Sequence, residues 1–210
     1  MDINTDKIFE LLETMRDKRS EFVKYMDGKR DPFKVLIACI LSLRTKDETT
    51  YPAAVKLFAL GSKPEDLLKL SEEEIQKAIY PVGFYRNKSV VILGICRELL
   101  TKYNGVVPDE IDELLKLNGV GRKTANLVLA KGYHKPAICV DTHVHRISNR
   151  LGYVKTATPD ETEMALRKKL PIKYWCTIND LFVTHWQNTC KPIKPLCPEC
   201  IIEHYCMKVI

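Results

Sequence analysis

The chain has 210 residues, a formal net charge of +6, 45% hydrophobic and 29% charged residues. That composition is ordinary for a soluble protein and excludes a disordered tail or a collagen-like chain, and the length allows one large domain or two small ones. A core of this size needs no staples, so the eight cysteines are not required to hold the chain together.

The N-terminus, MDINTDKIFE, lacks the basic and then apolar regions of a secretion signal. The longest apolar run, residues 35–43, falls well short of the ~20 residues of a membrane span. No membrane association is expected, and a reducing cytoplasmic or nucleoid-associated location is. There cysteines bind metals, catalyse or pack rather than pair. The positive balance suits a nucleic-acid partner without specifying one.

Apolar spacing is helical almost throughout. Ile8, Leu11, Leu12, Met15, Phe22, Val23 and Met26 predict a first helix over residues 4–26. Asp31 and Pro32 read as N-cap and first-turn proline of a helix over 33–43, apolar all round and therefore central. Asp47 caps a helix to 60. Ser62 and Pro64 open a short one to about 70. Ser71 with Glu74 forms a capping box for a helix to about 80. Residues 87–103 carry Val90, Leu93, Cys96, Leu99 and Leu100 on one stripe. Pro108 and Asp109 open a helix to about 117. After the turn Asn118-Gly119-Val120-Gly121, a helix places Ala125, Val128, Leu129 and Gly132 on one face. Residues 141–151 read as helix, Thr158, Pro159 and Glu161 as another box, and 171–186 as a last long helix. Residues 106–107 and 137–140 hint at strand but are too short for a sheet, and no βαβ alternation appears. The fold class is all-α.

Three features carry chemistry. Cys190, Cys197, Cys200 and Cys206, spaced C-x6-C-x2-C-x5-C in a proline-rich tail, can wrap a tetrahedral zinc or a [4Fe–4S] cube, and thiolate softness does not choose between them. Cys39, Cys96, Cys139 and Cys176 sit in apolar contexts and read as buried hydrophobes. The segment LNGVGRKTA, residues 117–125, joins two helices. Its glycines permit a tight turn with positive φ, and their N–H groups ahead of a helix N-terminus suit a phosphate. The spacing and preceding strand of a nucleoside-triphosphate loop are absent. Finally, in VDTHVHR, residues 140–146, Asp141 reads as an N-cap. His143 and His145, two apart, make a poor metal pair and favour hydrogen-bonded structural roles.

GVGRKTA, VDTHVHR some twenty residues later and the four-cysteine tail, in that order, together resemble the endonuclease III family of DNA glycosylases. The likeness covers nearly the whole chain, including LSLRTKD at 41–47 and VGFY at 82–85. It implies two helical domains with a DNA-binding cleft between them. One is a six-helix barrel with a helix-hairpin-helix over 25–135; the other is an iron–sulfur cluster domain of 1–24 and 136–210, its [4Fe–4S] cluster held by Cys190, Cys197, Cys200 and Cys206. The implied function is base-excision repair: removal of oxidised pyrimidines from duplex DNA and cleavage at the abasic site. Duplex DNA with damaged bases or abasic sites is the partner, and a monomer is expected.

By the same resemblance Lys123 is the catalytic lysine and Asp141 the catalytic aspartate. A nucleophilic amine must be neutral, and a helix N-terminus, partial burial and adjacent Arg122 all favour that form. A carboxylate at Asp141 stabilises the cationic sugar. Arg44, Phe84, Gly119, Val120, Gly121, Arg122 and His143 are the implied DNA contacts. Asn118 replaces the family's usual proline. Arg44 stands where many members have a glutamine that fills the gap left by the flipped nucleotide, and Phe84 stands at an apolar wedge position that is often leucine. A monofunctional mismatch glycosylase of the same superfamily is the alternative, against which Lys123 argues. A non-catalytic DNA-binding module with a structural zinc is a third reading.

Overall fold

Side-chain caps decide where several helices begin. The computed structural model describes residues 4–27 and 31–209. Residues 1–3 of the N-terminal reading, and 28–30 and 210 of the two expected domains, lie outside the described residues. Among the described residues there is no strand, and twelve α-helices run in order: α1 Thr5–Glu13, α2 Glu21–Asp27, α3 Pro32–Ser42, α4 Asp47–Leu60, α5 Pro64–Leu67, α6 Glu72–Ile79, α7 Tyr85–Tyr103, α8 Ile111–Leu114, α9 Arg122–Leu127, α10 Thr142–Arg150, α11 Pro159–Lys169 and α12 Ile178–Asn188. Asp31 accepts from the Phe33 and Lys34 N–H groups ahead of α3, and Ser71 and Glu74 close the reciprocal box of α6. Thr158 accepts from the Glu161 N–H at α11. Such caps are local in sequence and worth about 1 kcal/mol each.

Tertiary contacts overturn other expectations. The helix expected over 4–26 is two, because Arg19 is extended and Ser20 restarts the chain, its hydroxyl accepting from the Val23 N–H. Asp47 is not a cap. It lies in the first turn of α4, and its carboxylate accepts from the Ser20 hydroxyl at 2.6 Å. The helix expected from Pro108 shortens to α8, since the Tyr133 hydroxyl and the Lys135 amine take the Val107 and Asp109 carbonyls. The one expected from residue 171 splits into a 3-10 turn, Ile172–Tyr174, and α12. The Trp175 indole N–H occupies the Leu170 carbonyl at 2.9 Å. The second capping box is half formed, because Glu161 accepts from the Ala157 N–H instead of that of Thr158. On α7, Val90 is 51% exposed and does not share the buried stripe. The segment after α9 changes pitch: Val128–Gly132 is a π turn, with Gly132 so close to Pro32 that a Cβ would stand 2.8 Å from the proline Cα.

Packing divides the chain into two units, Ser20–Lys135, and Met1–Arg19 with Pro136–Ile210. Within the first, α3 is buried on all sides and packs on α4, α7, α9 and the π turn. Its apolar surface and its central place agree. Within the second, Ile8, Phe9 and Leu12 of α1 share a core with Val144 and Ile147 of α10 and Ile178, Leu181 and Phe182 of α12. Ile202, between two of the tail cysteines, joins that core and anchors the tail. No helix among the described residues is long and apolar enough to cross a membrane.

Candidate active site

The hairpin turn precedes α9. The Val120 N–H closes it on the Leu117 carbonyl at 3.1 Å, and the Val120 side chain is buried. Gly119 has φ +82°, and a Cβ there would also stand 2.8 Å from Val91 Cγ1, so both backbone and space demand glycine. Gly121 departs from expectation. Its φ is −97° and ψ 177°, extended backbone, with nothing within 4 Å of where a Cβ would stand. Lys123 is the second residue of α9 and half-buried, with Thr124 and Ala125 fully buried behind it. Arg122 is half-buried, and its carbonyl accepts from the Asn126 amide at 3.1 Å.

Arg44 and Phe84, forty residues apart in sequence, meet on the surface of the same unit. The guanidinium carbon lies 5.7 Å from the centre of the Phe84 ring, within cation–π range. Both have left-handed backbone, φ +52° and +57°. Phe84 is the N-cap of α7 and 62% exposed, an arrangement that projects an aromatic edge into solvent.

In the other unit, Asp141 is the N-cap of α10. Its Oδ1 accepts from the His143 N–H at 2.9 Å and the Val144 N–H at 2.8 Å. The cap uses one carboxylate oxygen for both bonds. The His143 ring stacks on Trp186 at 3.7 Å, with Nδ1 3.1 Å from an Arg146 nitrogen, and His145 Nδ1 lies 2.6 Å from the Thr162 hydroxyl. The His143 ring is thus held between Trp186 and Arg146, and that of His145 against Thr162.

Cys190, Cys197, Cys200 and Cys206 line one cavity enclosing about 510 Å³ of space open to solvent, floored by Ile147, Leu151 and Ile202. Among the described residues no three His, Cys, Asp or Glu side chains converge to hold a single metal ion. Polar hydrogens reach two of the sulfurs, Arg150 Nη1 lying 3.5 Å from Cys190 and the Lys208 N–H 3.4 Å from Cys206, while His185 Nε2 lies 3.6 Å from Cys200, its tautomer setting which of the two donates. Burial pushes the Cys200 thiol up to about 11. This donor set, four soft sulfurs ringing one cavity and solvated by N–H groups, fits a cluster that spreads its ligands. Elsewhere Cys39, Cys96 and Cys139 are buried as expected, Cys96 with its thiol pushed up to about 12 by burial, whereas Cys176 is only partly buried.

Sequence reasoning missed three residues beside Arg44 and Phe84, namely Thr45, Gly83 and Lys88. The signal was present. Lys88 precedes Ile92, Ile95 and Leu99 at steps of four, three and four, which puts its charge on the buried face of α7.

Residues 37–172 match the HhH-GPD superfamily of base excision DNA repair proteins. The chain is 53% identical over 176 residues to endonuclease III of Thermotoga maritima, covering 84% of this chain and 83% of that protein. It is 43% identical over 199 residues to the chloroplastic endonuclease III homolog 1 of Arabidopsis thaliana, covering 90% of this chain but only 52% of that longer protein. Its fold is similar to that of a trapped endonuclease III–DNA covalent intermediate, the estranged-adenine complex. The TM-score is 0.83 at 36% identity, over 97% of this chain and 95% of that one. The hairpin, the capped aspartate and the thiol-lined tail therefore lie in a chain that belongs to the HhH-GPD superfamily of base excision DNA repair proteins, within its endonuclease III family.

Proposed function

We propose that this chain excises oxidised pyrimidines from duplex DNA and then cuts the strand through a Schiff base on Lys123. The observation that carries the reading is the amine on the second residue of α9, directly after the glycine turn, in a chain 36% identical to one trapped covalently on DNA. The Lys123 amine attacks C1′, and the glycosidic electron pair leaves with the base, which takes up a proton. The sugar opens to an iminium. Loss of a C2′ proton then drives out the 3′ phosphate, and hydrolysis returns the amine. Asp141 stabilises positive charge on the sugar as the base departs. The base must first leave the stack, and Arg44 and Phe84 fill the gap it leaves. Gly119, Val120, Gly121 and Arg122 seat the backbone phosphate, and His143 adds a contact from α10. The thiolates of Cys190, Cys197, Cys200 and Cys206 would hold a [4Fe–4S] cluster, which would supply structure rather than an open position for substrate. A cubane takes one thiolate at each of four irons, whereas zinc needs its donors at one point. Reduced thiols and a DNA substrate together favour an intracellular location.

Single-turnover rates on a damaged duplex and on a ready-made abasic duplex, with borohydride trapping, test the chemistry. Lys123→Gln abolishes cleavage and the trapped adduct, while affinity for abasic DNA stays within about tenfold, ~1.4 kcal/mol. Asp141→Asn keeps the capping oxygen, slows excision on the order of 100- to 1000-fold, and slows abasic-site cleavage less. A Lys123→Gln protein that is trapped at a near wild-type rate moves the nucleophile elsewhere. Metal analysis of anaerobically purified protein gives about four irons per chain; stoichiometric zinc instead overturns the cluster assignment.

A further inference from the structure

Lys88 is a buried cation for which the reaction has no use. It is 5% exposed, and no carboxylate among the described residues pairs with it. Its Nζ lies 2.8 Å from the Leu41 carbonyl, 2.6 Å from the Leu43 carbonyl and 3.1 Å from the Thr45 hydroxyl oxygen. An ammonium has three N–H donors, and here there are three acceptors. Two of them are carbonyls at the C-terminal end of α3, where a cation compensates the helix dipole. Burial lowers this amine from its ordinary 10.5 to about 8, so at neutral pH it still carries the third proton.

The network continues past Lys88. The Thr45 hydroxyl donates to the Leu43 carbonyl and also accepts from the Gly83 N–H at 3.1 Å, so all its capacity is used. Gly83 can approach because it has no Cβ: one would stand 2.9 Å from the Arg44 carbonyl oxygen and 3.3 Å from the Thr45 hydroxyl. On the other side, the Lys88 main-chain N–H donates to the Phe84 carbonyl at 3.0 Å. One residue thus grips both turns, the one bearing Arg44 through its side chain and the one bearing Phe84 through its backbone. Each of those turns contains a non-glycine residue with positive φ, a conformation that persists only where its surroundings over-determine it.

We propose that Lys88 is the positioning residue of the Arg44–Phe84 pair: through Thr45 and Gly83 it locks the two turns together, so that guanidinium and ring enter the duplex as one pre-set element. The proposal rests on the reading of Arg44 and Phe84 as DNA contacts. It predicts a defect in base extrusion that spares the chemistry once the base is gone. A Lys88 that merely filled the interior would, on removal, lower every activity together.

The test compares Lys88→Met, which keeps the stem and removes the donors, with Thr45→Val, which keeps the shape and removes the bridging hydroxyl. Each is assayed in single turnover on a duplex with a paired oxidised pyrimidine beside 2-aminopurine, and on a duplex with a preformed abasic site. The ratio of excision to abasic-site cleavage is expected to fall on the order of tenfold in both variants, with a matching delay in the 2-aminopurine unstacking signal. Should Lys88→Met fail to fold, Thr45→Val carries the test alone. An unchanged ratio, whether both rates fall equally or neither falls, overturns the proposal. Phe84→Ala separates the two levels. If it lowers the ratio while Lys88→Met and Thr45→Val do not, the wedge stands without its lock; if it too leaves the ratio unchanged, the wedge reading fails and the lock with it.

Discussion

In the function proposed above, two turns of the Ser20–Lys135 unit meet DNA, and they solve opposite problems. The hairpin before α9 has, on that reading, to bring main chain close to a phosphate. It uses glycine at its positive-φ position, Gly119, where the Val120–Leu117 hydrogen bond closes the turn and Val91 flanks it. The Arg44–Phe84 surface must project side chains, so glycine cannot serve at the projecting positions. There the left-handed conformation is imposed on an arginine and a phenylalanine and held by a buried ammonium, a threonine hydroxyl and the missing Cβ of Gly83. A turn that presents backbone is made cheap by composition. A turn that presents side chains is strained, and its restraint comes from residues that never touch the ligand.

That contrast can be broken most forcefully at Lys88. Folded, its amine titrates at about 8; unfolded, near 10.5. Below pH 8 both states hold the proton and the burial penalty is present in full. Between about pH 8 and 10.5 the unfolded chain keeps a proton that the folded chain has released, so stability rises with pH. Urea unfolding should show wild type gaining on the order of 3 kcal/mol over Lys88→Met across that window. Parallel profiles would mean that the Leu41, Leu43 and Thr45 acceptors offset the cost of burying the ammonium in full. Next in size, Gly119→Ala should destabilise by about 2 kcal/mol through left-handed strain and the Val91 contact. Gly121→Ala should shift stability by less than about 1 kcal/mol, since its backbone is already extended and its Cβ meets open space. Equal losses at the two glycines would dissolve the distinction drawn for the hairpin. Also smaller than the Gly119 effect, and of opposite sign, Phe84→Gly should raise stability by about 1 kcal/mol, by relieving the left-handed conformation of a largely exposed residue, and slow excision at the same time. A stability loss there would show that the ring packs more than it projects.

Much of the fold could be read from the chain because its helix starts are written in adjacent residues. Asp31 with Pro32, Ser71 with Glu74, and Asp141 bond to N–H groups two or three positions away, and the structure has each of them. The helix breaks at 14–20 and 172–177 were not legible. They depend on partners such as the Trp175 indole, whose bond to Leu170 exists only once the unit is packed. The π turn after α9 is likewise a tertiary outcome, set by Gly132 against Pro32. At the candidate site, spacing announced the four tail cysteines and the capping role of Asp141. Lys123 and the Arg44–Phe84 pair came from resemblance, because no periodicity marks an amine as a nucleophile or joins residues 44 and 84. Lys88 was hidden by its charge. The stripe was drawn through apolar Val90, while the helical steps from Leu99 back through Ile92 lead to the lysine.

The unit that contains α1, α10 and α12 is assembled from both flanks of the chain, and this sets a timetable for its birth on the ribosome. Helix α1 is synthesised on the order of 160 residues before α12, which it packs against, roughly 8–30 s at typical elongation rates. During that interval Ile8, Phe9 and Leu12 wait for their core, while every segment of the α3-centred unit is made before the first of their α10 partners, Val144 and Ile147, emerges. The four tail cysteines emerge later than α12. The proposed cluster therefore loads only after Cys206 has emerged, and a nascent chain stalled before residue 190 carries the hairpin segment together with an α1 whose apolar face lacks part of its core. Chaperone capture of that helix, released when α12 arrives, is the event a ribosome-profiling experiment on this gene should see.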